Sequence, residues 1–484
     1  MSFASGKPAE PAMPAPALAT EPEAAESPEP PLLSKCVAEF VGTYLLVLTV
    51  GCNVLSGNAV WAGVSIGCVL MVAIFALGKI SGGNFNPAVS LTLGITKLLG
   101  GPGLDMGTVG IYIAVQIVAG IAAAGSYSLI FMESFNLAPA KGFSWWQAGL
   151  CECLYTLMLC FVVLNVAAAK TYKKEGNQWY GLSIGFVIIA GAYGAGAVSG
   201  GCFNPAVAIG IDVSSILHGI GWFFPYIVFE LIGALLAALL FMVVRPGDFT
   251  DADSTDVRLS QKLTSEFLGT FMLVLTVGLN VLGRSPAGAF SIAASLMCMI
   301  YALGDISGAH FNPAVTLAIF VKGFDPDLSG GLMALYWLVQ CVGGMLAALT
   351  SSAIHNGKAF ALGPQGHHLW AEAACAEIIF TAVLCLVVLA VACSEKTKSS
   401  SMFGIAISSC VTVGGFAIGS ISGGSLNPAV SMGISTAWIS HGGKFYECVL
   451  YSAFEFVGAL MAAGILTVTH GSKAQGKDEG EHIA

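Results

Sequence analysis

One short pattern is written four times in this sequence: ISGGNFNPAV at 80–89, VSGGCFNPAV at 198–207, ISGAHFNPAV at 306–315 and ISGGSLNPAV at 421–430. A Glu-x-x-x-Thr pair precedes each copy: Glu39/Thr43, Glu152/Thr156, Glu266/Thr270 and Glu377/Thr381. The interval from each Glu to its Asn is 47, 52, 46 and 50 residues. Matched offsets of this kind define a fourfold internal repeat, which constrains the fold before any local propensity does.

Twelve apolar runs surround these boxes. They lie at Cys36–Leu55, Val60–Leu77, Ile111–Met132, Ala148–Ala169, Tyr180–Val198 and Trp222–Val244, then at Leu263–Leu282, Ala289–Leu303, Leu332–Ala353, Ala371–Cys393, Met402–Ile421 and Tyr446–Val468. Each is close to the ~20 residues that a membrane-spanning helix needs. Charged residues are only 10% of the chain, against 56% hydrophobic, and mean hydropathy is +0.81. A soluble surface carries about 25% charge, so the solvent here is the bilayer. Each quarter holds three crossings and a stretch after the box, such as Ala88–Thr96, that is too short to cross. Three is odd, so successive quarters are inverted, the arrangement of channels and transporters whose pathway lies between repeats.

The polar segment Arg245–Lys262 divides the two halves. The expected organisation is a disordered Pro/Ala/Glu-rich tail at 1–31, a first unit at 32–246, a linker at 247–261, a second unit at 262–470 and a tail at 471–484. With the N-terminus inside, 15 of the 19 Lys and Arg fall on the inner side and only Lys141, Arg284, Lys358 and Lys444 outside. The positive-inside rule therefore expects both tails and the linker in the cytosol of a multi-pass protein.

The box has a physical reading. Gly lets the backbone run close to neighbouring helices. Asn is a good helix N-cap, and Pro fits the first helical turn, where its missing N–H costs nothing. Each box thus starts a half-helix whose N-terminus, worth about half a positive charge, points into the membrane. Irregular backbone at that depth is allowed only where it lines a cavity or is buried in protein. Two inverted boxes then bring two Asn amides to one point of a pore.

These boxes, the ExxxT pairs on the first and fourth spans, and Gln116 and Gln340 on the third spans resemble the aquaporin, or major intrinsic protein, family. The resemblance covers 35–244 and 262–470, two family units in tandem. It implies an all-α membrane protein, each unit having six transmembrane helices and two re-entrant half-helices. It implies pores at Asn86-Pro87-Ala88 with Asn204-Pro205-Ala206, and at Asn312-Pro313-Ala314 with Asn427-Pro428-Ala429. It implies a passive channel for water and small uncharged solutes of the glycerol, urea or ammonia class, with two pores per chain. Two chains would make a four-pore homodimer, since family units usually gather as tetramers.

The chain departs from the family where an Arg usually follows the second box: here stand Val207 and Val430. Counting as the family does, the filters are Ile66, Ala192, Gly201 and Val207, then Ile292, Gly415, Gly424 and Val430. Both read as wide, apolar and uncharged, which admits bulkier neutral solutes and removes one barrier to cations. Glu230 and Glu455 stand where the family usually has Pro on the sixth span. They read as protonated or bonded to pore-loop N–H groups, as replacements for lost loop support, or as groups touching the solute. Glu39, Glu152, Glu266 and Glu377 read as loop supports with Gln116 and Gln340. Lys79 and Asp305 fall at matched inner mouths, beside Asn84 and His310, and read as a sign of unlike pores or as solvated vestibule charge.

Other classes find less support. Each half closes its own pair of boxes, which argues against a coupled transporter with one shared site. An ammonium- or cation-permeable channel and a structural protein with closed pores remain as alternatives. No enzyme constellation or basic nucleic-acid patch occurs. The 14 Cys lie mostly in apolar runs without metal-like spacing and read as reduced apolar fillers, so no metal or cofactor is expected.

Overall fold

The computed structural model describes residues 29–217, 219–250 and 257–471, without the side chains of 173–175. Nearly all of the expected N-terminal tail, residues 251–256 of the expected linker and residues 472–484 lie outside the described residues. The described chain is helical. The first unit runs α1 (Leu32–Leu55), α2 (Ala62–Ser81), half-helix α3 (Pro87–Leu98), α4 (Met106–Phe131), α5 (Trp145–Val163), the short α6 (Lys170–Glu175), α7 (Tyr180–Ser199), half-helix α8 (Pro205–Ser214) and α9 (Phe223–Val244). The second repeats it: α10 (Leu259–Leu282), α11 (Gly288–Ser307), half-helix α12 (Pro313–Lys322), α13 (Gly330–Ile354), α14 (Trp370–Val388), α15 (Phe403–Ile418), half-helix α16 (Pro428–Trp438) and α17 (Tyr446–His470).

Eleven helices among the described residues are long and apolar enough to cross a membrane. The twelfth expected span, Met402–Ile421, forms the shorter α15. After Ile418 the segment continues as a series of turns up to the fourth box. Its counterpart α7 runs 20 residues, to a left-handed cap at Gly200.

Within each unit the first and fourth helices carry the box-facing Glu. The half-helices α3 and α8 pack between α4, α5 and α9, and α12 and α16 do so between α13, α14 and α17. The two units meet through α5 and α7 of the first and α10 and α11 of the second. Between 72% and 78% of the residues in those four spans are buried, against 39% on α1, 28% on α2 and 44% on α14. The interface is specific. Tyr155 Oη and Thr276 Oγ1 are 3.0 Å apart, Ser291 Oγ donates to the Ala190 carbonyl at 2.9 Å, and Trp179 stacks on Tyr301 at 4.5 Å.

Asp305 corrects one expectation. It does not stand as a free charge at a pore mouth. Arg245, at the end of α9, grips it with two hydrogen bonds of 2.8 Å, while Asn165 accepts from Arg245 Nε at 2.6 Å. The residue projects toward the neighbouring unit because α11 is an interface helix. Lys79, at the matched position of α2, is exposed because α2 has no such neighbour within the chain.

Candidate functional site

Each box folds by one plan. After the helix ends, two residues take positive φ: Gly82 and Gly83, Gly200 and Gly201, Gly308 and Ala309, Gly423 and Gly424. The residue before each Asn does so as well, and it is not Gly: Phe85, Phe203, Phe311 and Leu426 have φ of 50°, 52°, 49° and 55°. A bulky side chain in that region is strained, and such strain persists only where the surroundings over-determine it. Here the surroundings are buried carboxylates.

Glu39 accepts from Ser81 Oγ (2.6 Å), Asn84 N (3.0 Å), Phe85 N (2.8 Å) and Gln116 Nε2 (2.8 Å). Glu266 repeats this with Ser307 Oγ (2.6 Å), His310 N (2.9 Å), Phe311 N (2.8 Å) and Gln340 Nε2 (2.8 Å). Glu152 accepts from Cys202 N (3.1 Å) and Phe203 N (2.6 Å). Glu377 accepts from Ser422 Oγ (2.5 Å), Ser425 N (3.1 Å) and Leu426 N (2.9 Å). Glu230 and Glu455 add one bond each to the Asn itself, from Asn204 N at 2.8 Å and Asn427 N at 2.9 Å. All six glutamates are fully buried.

The strained residue has a purpose in this geometry. Its carbonyl turns to the opposite loop and receives that loop's Asn amide. Asn86 Nδ2 donates to Phe203 O at 2.8 Å and Asn204 Nδ2 to Phe85 O at 3.0 Å; Asn312 donates to Leu426 O at 2.8 Å and Asn427 to Phe311 O at 2.9 Å. Each Asn Oδ1 meanwhile caps its own half-helix at the Ala N–H, 2.8–3.0 Å away. An amide nitrogen carries two hydrogens. One is committed to the facing loop, which leaves one per Asn to donate elsewhere. Pro87, Pro205, Pro313 and Pro428 open their helices with no N–H to satisfy.

Sequence reasoning missed a fourfold tyrosine. Tyr112, Tyr226, Tyr336 and Tyr451 donate to the carbonyls of Ser81, Ser199, Ser307 and Ser422 at 2.8, 2.6, 2.9 and 2.6 Å. Each stands four residues before Gln116, Glu230, Gln340 or Glu455, so a Tyr-x-x-x-Gln/Glu repeat was present to be read.

In the second unit a lumen of about 920 Å³ runs the depth of the helices. Arg284 and Gln365 line one end, Asp325 and Lys398 the other, and Asn312 and Asn427 lie between. Ile292, Gly415, Gly424 and Val430 all line it, so the four positions counted as a filter do share one passage. In the first unit Gly201 lies against Ala192, where a Cβ on Gly201 would sit 3.3 Å from the Ala192 Cα. Ile66 is half-buried on α2, and Val207 is buried in the first turn of α8.

Paired half-helices meeting Asn to Asn, with a passage beside them, define a polytopic helical channel. The model of the major intrinsic protein family matches residues 26–241, 140–284 and 279–466, and the chain belongs to that family. It is similar to Nodulin-26 of Glycine max, 31% identical over 46% of this chain and 83% of that protein. It is similar also to Aquaporin AqpM of Methanothermobacter marburgensis, 28% identical over 43% of this chain and 96% of that protein. The solved aquaglyceroporin from Plasmodium falciparum aligns with a TM-score of 0.37 at 18% identity, over 44% of this chain and 97% of that one. Each relative matches about one of the two units. The chain is an integral, multi-pass membrane channel for water or small solutes, passive and not an enzyme.

Proposed function

We propose that the chain carries two separate pores, one in each of the units 32–246 and 262–470, and that both pass small neutral solutes larger than water. The observation that carries this reading is the lining of the second lumen. Ile292, Gly415, Gly424 and Val430 present only carbon and backbone to it, with Val430 where a narrowing Arg would stand. Selectivity in such pores follows diameter, lining donors and electrostatic barriers. With no side-chain donor at the filter, size becomes the main limit. The barrier to cations then rests on the half-helix N-termini and the free hydrogens of Asn86, Asn204, Asn312 and Asn427.

Glu39, Glu152, Glu230, Glu266, Glu377 and Glu455, with Gln116 and Gln340, act in this reading as supports that hold the loops open. Both termini and the linker lie in the cytosol. A homodimer gives four pores: α14 and α15 of one copy cover α1 and α2 of the other, as α5 and α7 cover α10 and α11 within the chain. The low burial of α1 and α2 supports that face as the open end of a head-to-tail contact.

Stopped-flow swelling of proteoliposomes with water, glycerol, urea and ammonia tests the reading. Glycerol flux that scales with channel content is the expected result. Water flux alone would contradict it, and proton flux in a pH-dye assay that falls in Glu230→Gln with Glu455→Gln would turn the reading toward a cation channel. A detergent-corrected mass of two chains is expected.

A further inference from the structure

One cluster of ligating side chains lies outside the lumen just described. Glu152 on α5, Cys202 in the second box and Glu230 on α9 each bring one ligating atom within 4.8 Å of the other two, and all three are buried. Their positions are 50 and 28 residues apart in the chain, so no spacing motif announces them. Glu152 accepts from Cys202 N and Phe203 N, with Ser199 and the Gly201 N–H also bonded to its carboxylate. Glu230 spends Oε1 on Asn204 N, while its Oε2 has no hydrogen-bond partner although the residue is fully buried. The Cys202 thiol donates to the Asn204 carbonyl at 3.4 Å.

Two buried carboxylates this close repel each other unless something positive joins them. The thiol decides what that is. A thiolate with two carboxylate oxygens is a donor set for a borderline-soft divalent ion, with Zn–S near 2.3 Å and Zn–O about 2.0–2.2 Å. The second unit offers the control. Glu377 and Glu455 occupy the same places, and Glu455 Oε2 is likewise unpartnered. The third position there is Ser425, whose hydroxyl is engaged with Ser431 Oγ at 2.7 Å and the Asn427 carbonyl at 3.2 Å.

We propose that Glu152, Cys202 and Glu230 form a binding site for a zinc-class divalent cation in the first unit, and that the second unit lacks it. Binding releases two protons to solvent, that of the Cys202 thiol and the one shared by the two carboxylates in the metal-free chain, and makes one metal–sulfur bond and one bond to each carboxylate. The ion would tie α5 and α9 to the loop that carries Asn204, so it would also stabilise the first unit against heating.

The test uses the full-length chain, washed with chelator in detergent and titrated with Zn²⁺ or Cd²⁺ alone. The expected result is one high-affinity equivalent per chain, a single sulfur at about 2.3 Å by zinc X-ray absorption and a raised unfolding temperature. Cys202→Ser installs the residue of the second unit and should remove the sulfur signal and weaken binding by about tenfold or more. Ser425→Cys should create a second equivalent with its own sulfur, a gain that misfolding cannot mimic. Absence of binding, as when the two carboxylates share only a proton, would overturn the proposal. Binding unchanged in Cys202→Ser, or a second equivalent already present in the unmodified chain, would overturn it too.

Discussion

The two units build their pore loops from the same parts and their outer faces from different ones. Glu39 and Glu266 hold four matched partners at nearly the same distances, and all four Asn side chains reach the facing loop. By contrast α11 ends in Asp305, gripped by Arg245, where α2 ends in exposed Lys79. The loops sit in one environment in both units, so the same chemistry serves both. A head-to-tail contact presents opposite faces of the two units to each other, so their interface residues are free to differ. The conserved geometry therefore belongs to the pore and the divergence to assembly.

The largest effect should come from the loops. Glu266→Ala would strand four buried donors, each costing about 1–3 kcal/mol. The second unit should lose its fold, seen as a broad loss of the monodisperse peak and of thermal stability in detergent. Glu39→Ala should do the same in the first unit. A variant pair with very different losses would break the equivalence of the two units.

The interface comes next. Asp305→Ala leaves the buried Arg245 guanidinium without its carboxylate, hydrogen-bonded only to Asn165 and the Ala302 carbonyl, at a cost of about 3 kcal/mol, the low end for such pairs because Asp305 is partly open to water. Lys79→Ala on an exposed helix end should change stability by less than about 0.5 kcal/mol. Unfolding temperatures of the two variants compare them directly. Equal effects would mean that the chain's own interface is no more ordered than its open face.

A smaller effect concerns pH. His355 follows α13 against Phe143 of the first unit, and burial, with Lys358 beside it, lowers its pKa from 6.5 to about 4. The unfolded chain then binds this proton more tightly than the folded one. Stability is full above about pH 6.5 and is lost as pH falls toward about 4. In His355→Leu the fall of unfolding temperature over that window should be shallower. An unchanged slope would remove His355 from the contact between units.

The repeat made much of this legible. Four boxes gave the half-helices, and hydropathy gave the spans, because both signals are local and recur at fixed offsets. The Arg245 grip on Asp305 was hidden, since it joins residues that only the packing of α9 on the second unit brings together. The positive φ of Phe85, Phe203, Phe311 and Leu426 was hidden because aromatic and branched side chains ordinarily argue against it. The early end of α15 was hidden because hydropathy stays high through Ile421 and does not mark where the helix stops. The Glu152–Cys202–Glu230 cluster was hidden because a search by spacing sees only neighbours.

The most direct test of two wide pores is the ratio of glycerol to water permeability in proteoliposomes carrying Val207→Arg, Val430→Arg or both. An Arg at the filter adds charge and several donors where the four filter side chains offer none. Each single variant should lower glycerol flux more than water flux, and the double variant should combine the two losses. An unchanged ratio in all three, or the loss of all flux from one single variant, would contradict two independent pores with apolar filters.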